Sequence, residues 1–398
     1  MKTIPIAIAP PASAEGQGTQ AAGLLVAPPL SLYVHFPWCV RKCPYCDFNS
    51  HEARDGIPEE DYLAALIADL ESALPRMWGR RIVSVFIGGG TPSLLSGAAV
   101  DSLLQALRSR LMLIADAEIT IEANPGTVDA INFAAYRDTG VNRLSLGIQS
   151  FDDASLAALG RIHDGNEARR AIDIALKHFD RVNLDLMYGL PQQTLGQAQR
   201  DFSCAVITGV THLSAYQLTL EPNTAFHQAP PPLPEEDLAA DIEAMVLETL
   251  AGAGFQRYET SAYAQPGARC QHNLNYWRFG DYLGIGAGAH GKLSSHAGIV
   301  RESRRRDPRA YLAGDYLQER SSITVADLPV EFMMNALRLI EGFPPGLYEE
   351  RTGLSLATLH APLLEAQRRG LLSVDSESIA PTPLGQRFLN ELLQLFMG

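Results

Sequence analysis

A chain of 398 residues with 46% hydrophobic and 19% charged side chains can bury one large domain and a smaller one, and its composition excludes disorder. A formal net charge of −13 argues against a general nucleic-acid binder, which needs a basic face to neutralise phosphates. Five cysteines, three of them crowded together, do not make a disulfide framework for a chain of this size. They point to a reducing compartment, the cytoplasm, and to a metal or redox site.

Residues 1–28 are rich in Ala, Pro and Gly, with Lys2 as their only basic residue. Pro5, Pro10 and Pro11 interrupt any apolar stretch, so the segment reads as a flexible tail and not as a secretory signal. No later apolar run approaches the ~20 residues of a membrane-spanning helix.

Residues 29–254 alternate short apolar runs with amphipathic stretches. The predicted strands are Leu30–Phe36, Ile82–Ile87, Glu118–Ala123, Arg143–Gly147, Val182–Met187 and His212–Leu218. Each is rich in Val, Ile, Leu or Tyr and short enough for a buried parallel strand. Helical spacing marks Glu60–Leu74, Val100–Leu111, Val128–Thr139, Asn166–Phe179 and Leu195–Ile207. Such alternation implies right-handed βαβ units, and six of them predict an α/β fold built on a partial (β/α)6 barrel. Barrel chemistry collects at the C-terminal ends of the strands. There lie His35 to Cys46, Gly88-Gly89-Gly90-Thr91, Glu122-Ala123-Asn124-Pro125, Gln149 and Asp185.

Pro230 to Pro234 mark an exposed loop before the helix Glu235–Leu250. Residues 255–306 form an aromatic and glycine-rich connecting segment. From 307 to 398 helical patterns dominate (Val330–Ile340, Leu356–Arg369, Leu384–Phe396), with a possible wing hairpin at Leu371–Val374 and Ser378–Ala380. Together they predict a smaller, mostly helical, winged-helix-like domain. The arginines 301, 304, 305, 306 and 309 read as a solvated loop, with an anionic partner or a propionate-bearing ligand as the alternative.

Cys39, Cys43 and Cys46 place three thiolates on one short loop. Iron–sulfur clusters are usually held by four cysteines, so three leave one iron open to an outside ligand. Zinc is the competing reading; it wants four closed ligands, and His35 or His51 would have to complete the set.

Tyr33-Val34-His35-Phe36-Pro37-Trp38-Cys39 followed by Cys43-Pro44-Tyr45-Cys46 resembles the CxxxCxxC motif of the radical SAM superfamily. The resemblance extends to its HemN/HemW branch through Asn183 to Pro191 and on to the C-terminal helices. It implies a [4Fe-4S] cluster on Cys39, Cys43 and Cys46 and S-adenosylmethionine (SAM) chelating the open iron. One electron then splits the sulfonium and yields a 5′-deoxyadenosyl radical. The same resemblance implies SAM contacts from Tyr33, Tyr45, Gly89, Gly90, Thr91, Glu122, Gln149, Arg161, Asp185 and His290.

Within the branch, coproporphyrinogen dehydrogenases carry a fourth cysteine two residues after the third, where this chain has Phe48. His272-Asn273-Leu274-Asn275-Tyr276-Trp277 is instead similar to the HNxxYW motif of the heme-chaperone subfamily. That implies heme as a ligand, with His272 at the iron and Tyr276 and Trp277 against the porphyrin. Cys270 is either a second soft ligand or a small loop residue, and Cys204 reads as inert core. The resemblance implies a chaperone that hands heme to an acceptor such as a membrane respiratory protein. The acidic charge leaves nucleic acid out as a partner, and a homodimer stays open. Two enzymatic alternatives remain open: an oxygen-independent coproporphyrinogen III oxidase, or a radical SAM enzyme on another substrate.

Overall fold

The computed structural model describes residues 24, 26–54, 56–127 and 130–397. Most of the expected N-terminal tail and the first two residues of the helix expected at 128–139 lie outside them.

Six strands run parallel in chain order: β1 (Leu30–Phe36), β2 (Arg81–Gly89), β3 (Met112–Ala123), β4 (Arg143–Gln149), β5 (Val182–Tyr188) and β6 (His212–Gln217). Each pairs in parallel with the next. Apart from Arg81, the start of β3 and the last two residues of β6, no position on them is exposed, which is why they read as apolar runs and not as alternating ones. The helices Glu59–Met77, Gly97–Arg110, Ala130–Thr139, Gly165–His178 and Leu195–Val206 connect them. Two of these begin in capping boxes, Asp164 with Glu167 and Thr194 with Gln197, each satisfying two orphan backbone donors. The chain therefore builds the expected partial barrel, in which the C-terminal strand ends gather on one rim.

The segment 255–306 contributes far more to the sheet than a connection would. β7 (Ala262–Ala264) pairs antiparallel with β6, and β8 (Asp281–Ile285) pairs parallel with β1 on its free side. β9 (His290–Ser295), β10 (Gly298–Arg304) and β11 (Leu317–Ser322) then extend the sheet antiparallel. Buried charges disguise these strands in the sequence. Asp281 is fully buried between Lys292 (3.0 Å) and Arg80 (2.7 Å), and also accepts from Ser294.

The arginine run is solvated only in part: Arg306 and Arg309 are exposed, whereas Arg301 and Arg304 lie on β10, where Arg304 is 2% exposed and Nε donates to both oxygens of buried Asp69 at 2.8 and 2.9 Å. Arg301 pairs with Glu331, and Arg305 with Asp315 at 2.7 Å.

A second apolar cluster runs from Leu328 to Phe396 and takes in Phe279 and Ile299. Its hairpin pairs Leu372–Val374 with Ile379–Pro381, close to the expected wing. The last expected helix is broken into Pro383–Arg387 and Leu389–Gln394.

Candidate functional site

Just beyond β1 the chain forms a two-residue strand, Trp38–Cys39, that pairs in parallel with His51–Glu52. His51 N–H donates to Pro37 O (2.7 Å) and Ala53 N–H to Cys39 O (2.9 Å), which closes the cysteine loop at its base. Within it, Cys46 N–H returns to Cys43 O at 3.1 Å. Cys39, Cys43 and Cys46 consequently face one cavity of about 370 Å³, together with Tyr45, Glu122, Gln149, Arg161 and Asp185. Burial pushes the Cys39 and Cys46 thiols up from their usual range. Contacts from Thr91 to Cys39 and from Ser50 to Cys46 offset that only partly.

Gly89, Gly90 and Thr91 line the same cavity as the turn leaving β2. Gly90 N–H donates to Phe36 O (2.7 Å) and Thr91 N–H to Trp38 O (2.8 Å), binding this turn to the cysteine loop. A Cβ on Gly90 would stand 2.5 Å from Trp38 O, so only glycine permits that approach. Gly89 N–H donates to Glu122 Oε2 at 3.0 Å.

Glu122 is the most perturbed acid of the site. Burial, with the Asp185 charge second, pushes its pKa up to about 8. Asp185 is also raised by burial, although Asn183 Nδ2 and Ser145 Oγ each donate to it at 2.9 Å. Arg161 Nη2 donates to Gly147 O (2.7 Å) and Nη1 reaches Cys43 Sγ (3.7 Å). Its buried Nε has no partner among the described residues. Gln149 holds φ +67°, a left-handed backbone that aims its side chain into the cavity mouth.

The sign of the Glu122 effect is definite. A carboxyl whose folded pKa lies above its unfolded value stabilises the fold fully below the unfolded value, near 4.3. That contribution is lost as pH rises through about 8. In cofactor-free protein, Glu122→Gln should therefore flatten the decline in unfolding free energy between about pH 5 and 8, by on the order of 1–3 kcal/mol. Urea unfolding at both pH values checks this; equal slopes in the two proteins would refute it.

A second cavity, of about 530 Å³, opens on the other side of the same rim. Tyr33, Phe48, Tyr276, Trp277, Phe279 and Tyr282 supply its apolar walls. Asp47, Phe48, Gly89 and Glu122 line both cavities, so the residues directly after Cys46 form a common partition. Asn49 Nδ2 anchors that partition, donating to Ala287 O and Arg306 O at 2.9 Å each.

The expected contacts divide between the two. Tyr45, Gly89, Gly90, Thr91, Glu122, Gln149, Arg161 and Asp185 meet at the thiol cavity. Tyr33 and His290, expected beside them, line the aromatic cavity instead. Tyr33 alternates along β1 to that side, and His290 opens β9, which folds back across β8.

Tyr276 and Trp277 line the aromatic cavity, but His272 lines neither. It sits behind Tyr276 on the helix Gln271–Trp277, 2% exposed. Its Nδ1 meets Ser84 Oγ at 3.0 Å and its Nε2 meets Tyr276 OH at 3.1 Å. Burial lowers its pKa to about 3, so the ring is neutral. Cys270 caps that helix, is buried, and donates to Glu118 Oε1 at 3.3 Å; its thiol is pushed up to about 12 by burial. It faces away from both cavities, as a small packed residue would.

Sequence reasoning missed Met187 and Tyr216 to Thr219 on the thiol cavity wall. Their position at the ends of β5 and β6 was the available signal.

Comparison with known proteins agrees with this architecture. The family model described as the Radical SAM superfamily matches residues 33–203, and the HemN C-terminal domain matches 323–388. The "Heme chaperone HemW" of Escherichia coli is 50% identical over 376 residues, covering 93% of this chain and 99% of that protein. The protein of the same name from Haemophilus influenzae is 48% identical, covering 93% and 98%. The structure of the Escherichia coli coproporphyrinogen III oxidase HemN superposes with a TM-score of 0.79 over 93% of this chain and 90% of that one. At 24% identity, that likeness speaks for the fold alone.

The superfamily's cofactors are a [4Fe-4S] cluster and SAM, and the donor set fits them. Three thiols share one wall, and among the described residues no histidine stands with them to close a zinc site. His35 spends Nε2 on Asn49 O (2.9 Å) and Nδ1 on Tyr33 OH (3.0 Å), and His51 lies off the cavity wall. Three sulfurs with polar groups arrayed opposite suit an iron cluster that keeps one site open. The chain belongs to the HemW family of radical SAM proteins.

Proposed function

We propose that this protein binds heme and passes it to an acceptor, with SAM and a [4Fe-4S] cluster seated beside the heme. The observation that carries the reading is the aromatic cavity sharing a wall with the thiol cavity. A porphyrin offers two large apolar faces, and Tyr276, Trp277 and Tyr33 offer rings to meet them. His272 would serve by holding Tyr276 in place; it must give up the Ser84 or the Tyr276 contact before a ring nitrogen can meet iron.

At the thiol cavity, Cys39, Cys43 and Cys46 would hold the cluster. Arg161 is suited to a carboxylate, and Glu122, Gln149 and Asp185 to an amine and ribose hydroxyls. When bound, the cluster and SAM supply one-electron chemistry at sulfur. Burial in the cofactor-free protein keeps Glu122 protonated near neutral pH. In this reading the acceptor would be a respiratory protein at the membrane, met from the cytoplasm. No helix among the described residues is long and apolar enough to cross a membrane.

Phe48 is the observation against a coproporphyrinogen oxidase. It stands at the partition, 59% exposed, where those dehydrogenases carry a further cysteine. Cluster-loaded protein carrying heme, incubated anaerobically with bacterial membranes, should lose its Soret absorbance to the membrane fraction. With coproporphyrinogen III and SAM it should form no protoporphyrinogen IX. Product formation with heme retained would reverse the proposal.

A further inference from the structure

The imidazoles and phenols lining the aromatic cavity are the side chains there of the kinds that hold heme iron, and all but one of them are already engaged. Tyr33 OH and His35 Nδ1 bind each other at 3.0 Å, and His35 Nε2 is held by Asn49 O. Tyr276 OH meets His272 Nε2 (3.1 Å), and Tyr282 OH accepts from Arg301 Nη1 (3.1 Å). Among the described residues no cysteine or methionine lines the cavity. His290 differs. It is exposed to the cavity, and neither ring nitrogen has a hydrogen-bond partner among the described residues.

Its mounting is rigid. His290 pairs with Ser303 across β9 and β10, and a Cβ on Gly284 would collide with its backbone, so β8 and β9 close tightly behind it. The cations divide in the same way. Lys292 is spent on Asp281 and Arg301 on Glu331, whereas Arg306 lines the cavity, exposed and with no ion pair among the described residues. Burial lowers the His290 pKa, and Arg306 is near enough for its charge to lower it further. A neutral imidazole and an uncommitted guanidinium thus stand together on one wall.

We propose that His290, and not His272, is the axial ligand to the iron of heme bound in this cavity, with Arg306 pairing a heme propionate. The inference rests on the proposed heme-binding function. Ligation would need only the lone pair on a neutral ring nitrogen of His290, which no hydrogen bond among the described residues occupies. A guanidinium is the side chain best shaped for a carboxylate, and this one has no competitor to displace.

The test is a ferric-heme titration of cluster-loaded wild type, His290→Ala, His272→Ala and Arg306→Glu, followed by Soret absorbance and low-temperature EPR. His290→Ala should shift the Soret band, change the iron spin state and weaken binding roughly tenfold or more. Free imidazole should restore the wild-type spectrum, which a merely misfolded variant would not allow. His272→Ala should keep the wild-type ligand signature, and Arg306→Glu should weaken binding without altering the spin state. A wild-type spectrum retained in His290→Ala, or lost only in His272→Ala, overturns this assignment while leaving heme binding intact. No saturable heme spectrum in the wild type would instead overturn the functional reading beneath it.

Discussion

Replacing Cys39, Cys43 and Cys46 by serine should remove essentially all iron and visible cluster absorption from anaerobically reconstituted protein, with the far-UV circular dichroism unchanged. Serine is close to cysteine in size, and none of the three thiols carries the packing of the barrel. Cys39 is buried at the loop base, but the loop is closed there by backbone bonds from His51 and Ala53. What serine cannot supply is a soft thiolate. Burial already holds the Cys39 and Cys46 thiols above their normal range, so without a metal they stay protonated. Iron must therefore displace protons, and reconstitution should release acid and improve as pH rises. Single serine variants should each lose most of the cluster. Iron content and absorbance check this, and full retention of both in the triple variant would sink the cluster assignment.

The largest stability effect is expected away from the cavities, at Asp69. Arg304 Nε donates to both of its oxygens, Tyr311 OH adds a contact at 2.8 Å and Gly286 N–H another at 3.3 Å. The carboxylate is fully buried and thereby ties the first helix to β10 and to the turn between β8 and β9. Asp69→Ala leaves the buried Arg304 facing Glu302 alone (3.1 Å) and should cost about 3–5 kcal/mol in urea unfolding. A double replacement, Asp69→Leu with Arg304→Met, should recover most of that, because it removes the stranded charge with its partner. A single-variant loss below about 1 kcal/mol would show that the network does not hold the extended sheet to the barrel. His290 opens β9 and Arg306 lies two residues beyond the end of β10, so their wall stands on this same framework.

Legibility in the sequence followed the range of the interactions involved. β1 to β6 could be read because strands buried on both faces are apolar runs bounded by turns, and β1 was placed to the residue. The cysteine loop was equally readable, since a local spacing determines it. β8 to β10 escaped because their interior carries Asp281, Lys292, Glu302 and Arg304, whose partners lie on other elements: Lys292 for Asp281, Arg76 and Arg320 for Glu302, and Asp69 for Arg304. The thiol cavity was largely legible, its residues all following parallel strands. The aromatic cavity was not, as it joins Tyr33, Tyr276, His290 and Arg306 from distant parts of the chain. A motif can mark His272 as notable, yet only the fold reveals that both its nitrogens are taken and that those of His290 are free.

The most direct measurement is equilibrium titration of ferric heme into the cluster-loaded wild-type protein, read at the Soret band. The account predicts saturation at about one heme per chain with a ligand-bound spectrum. Heme that adds without saturation, giving only the broad spectrum of free heme, would contradict it.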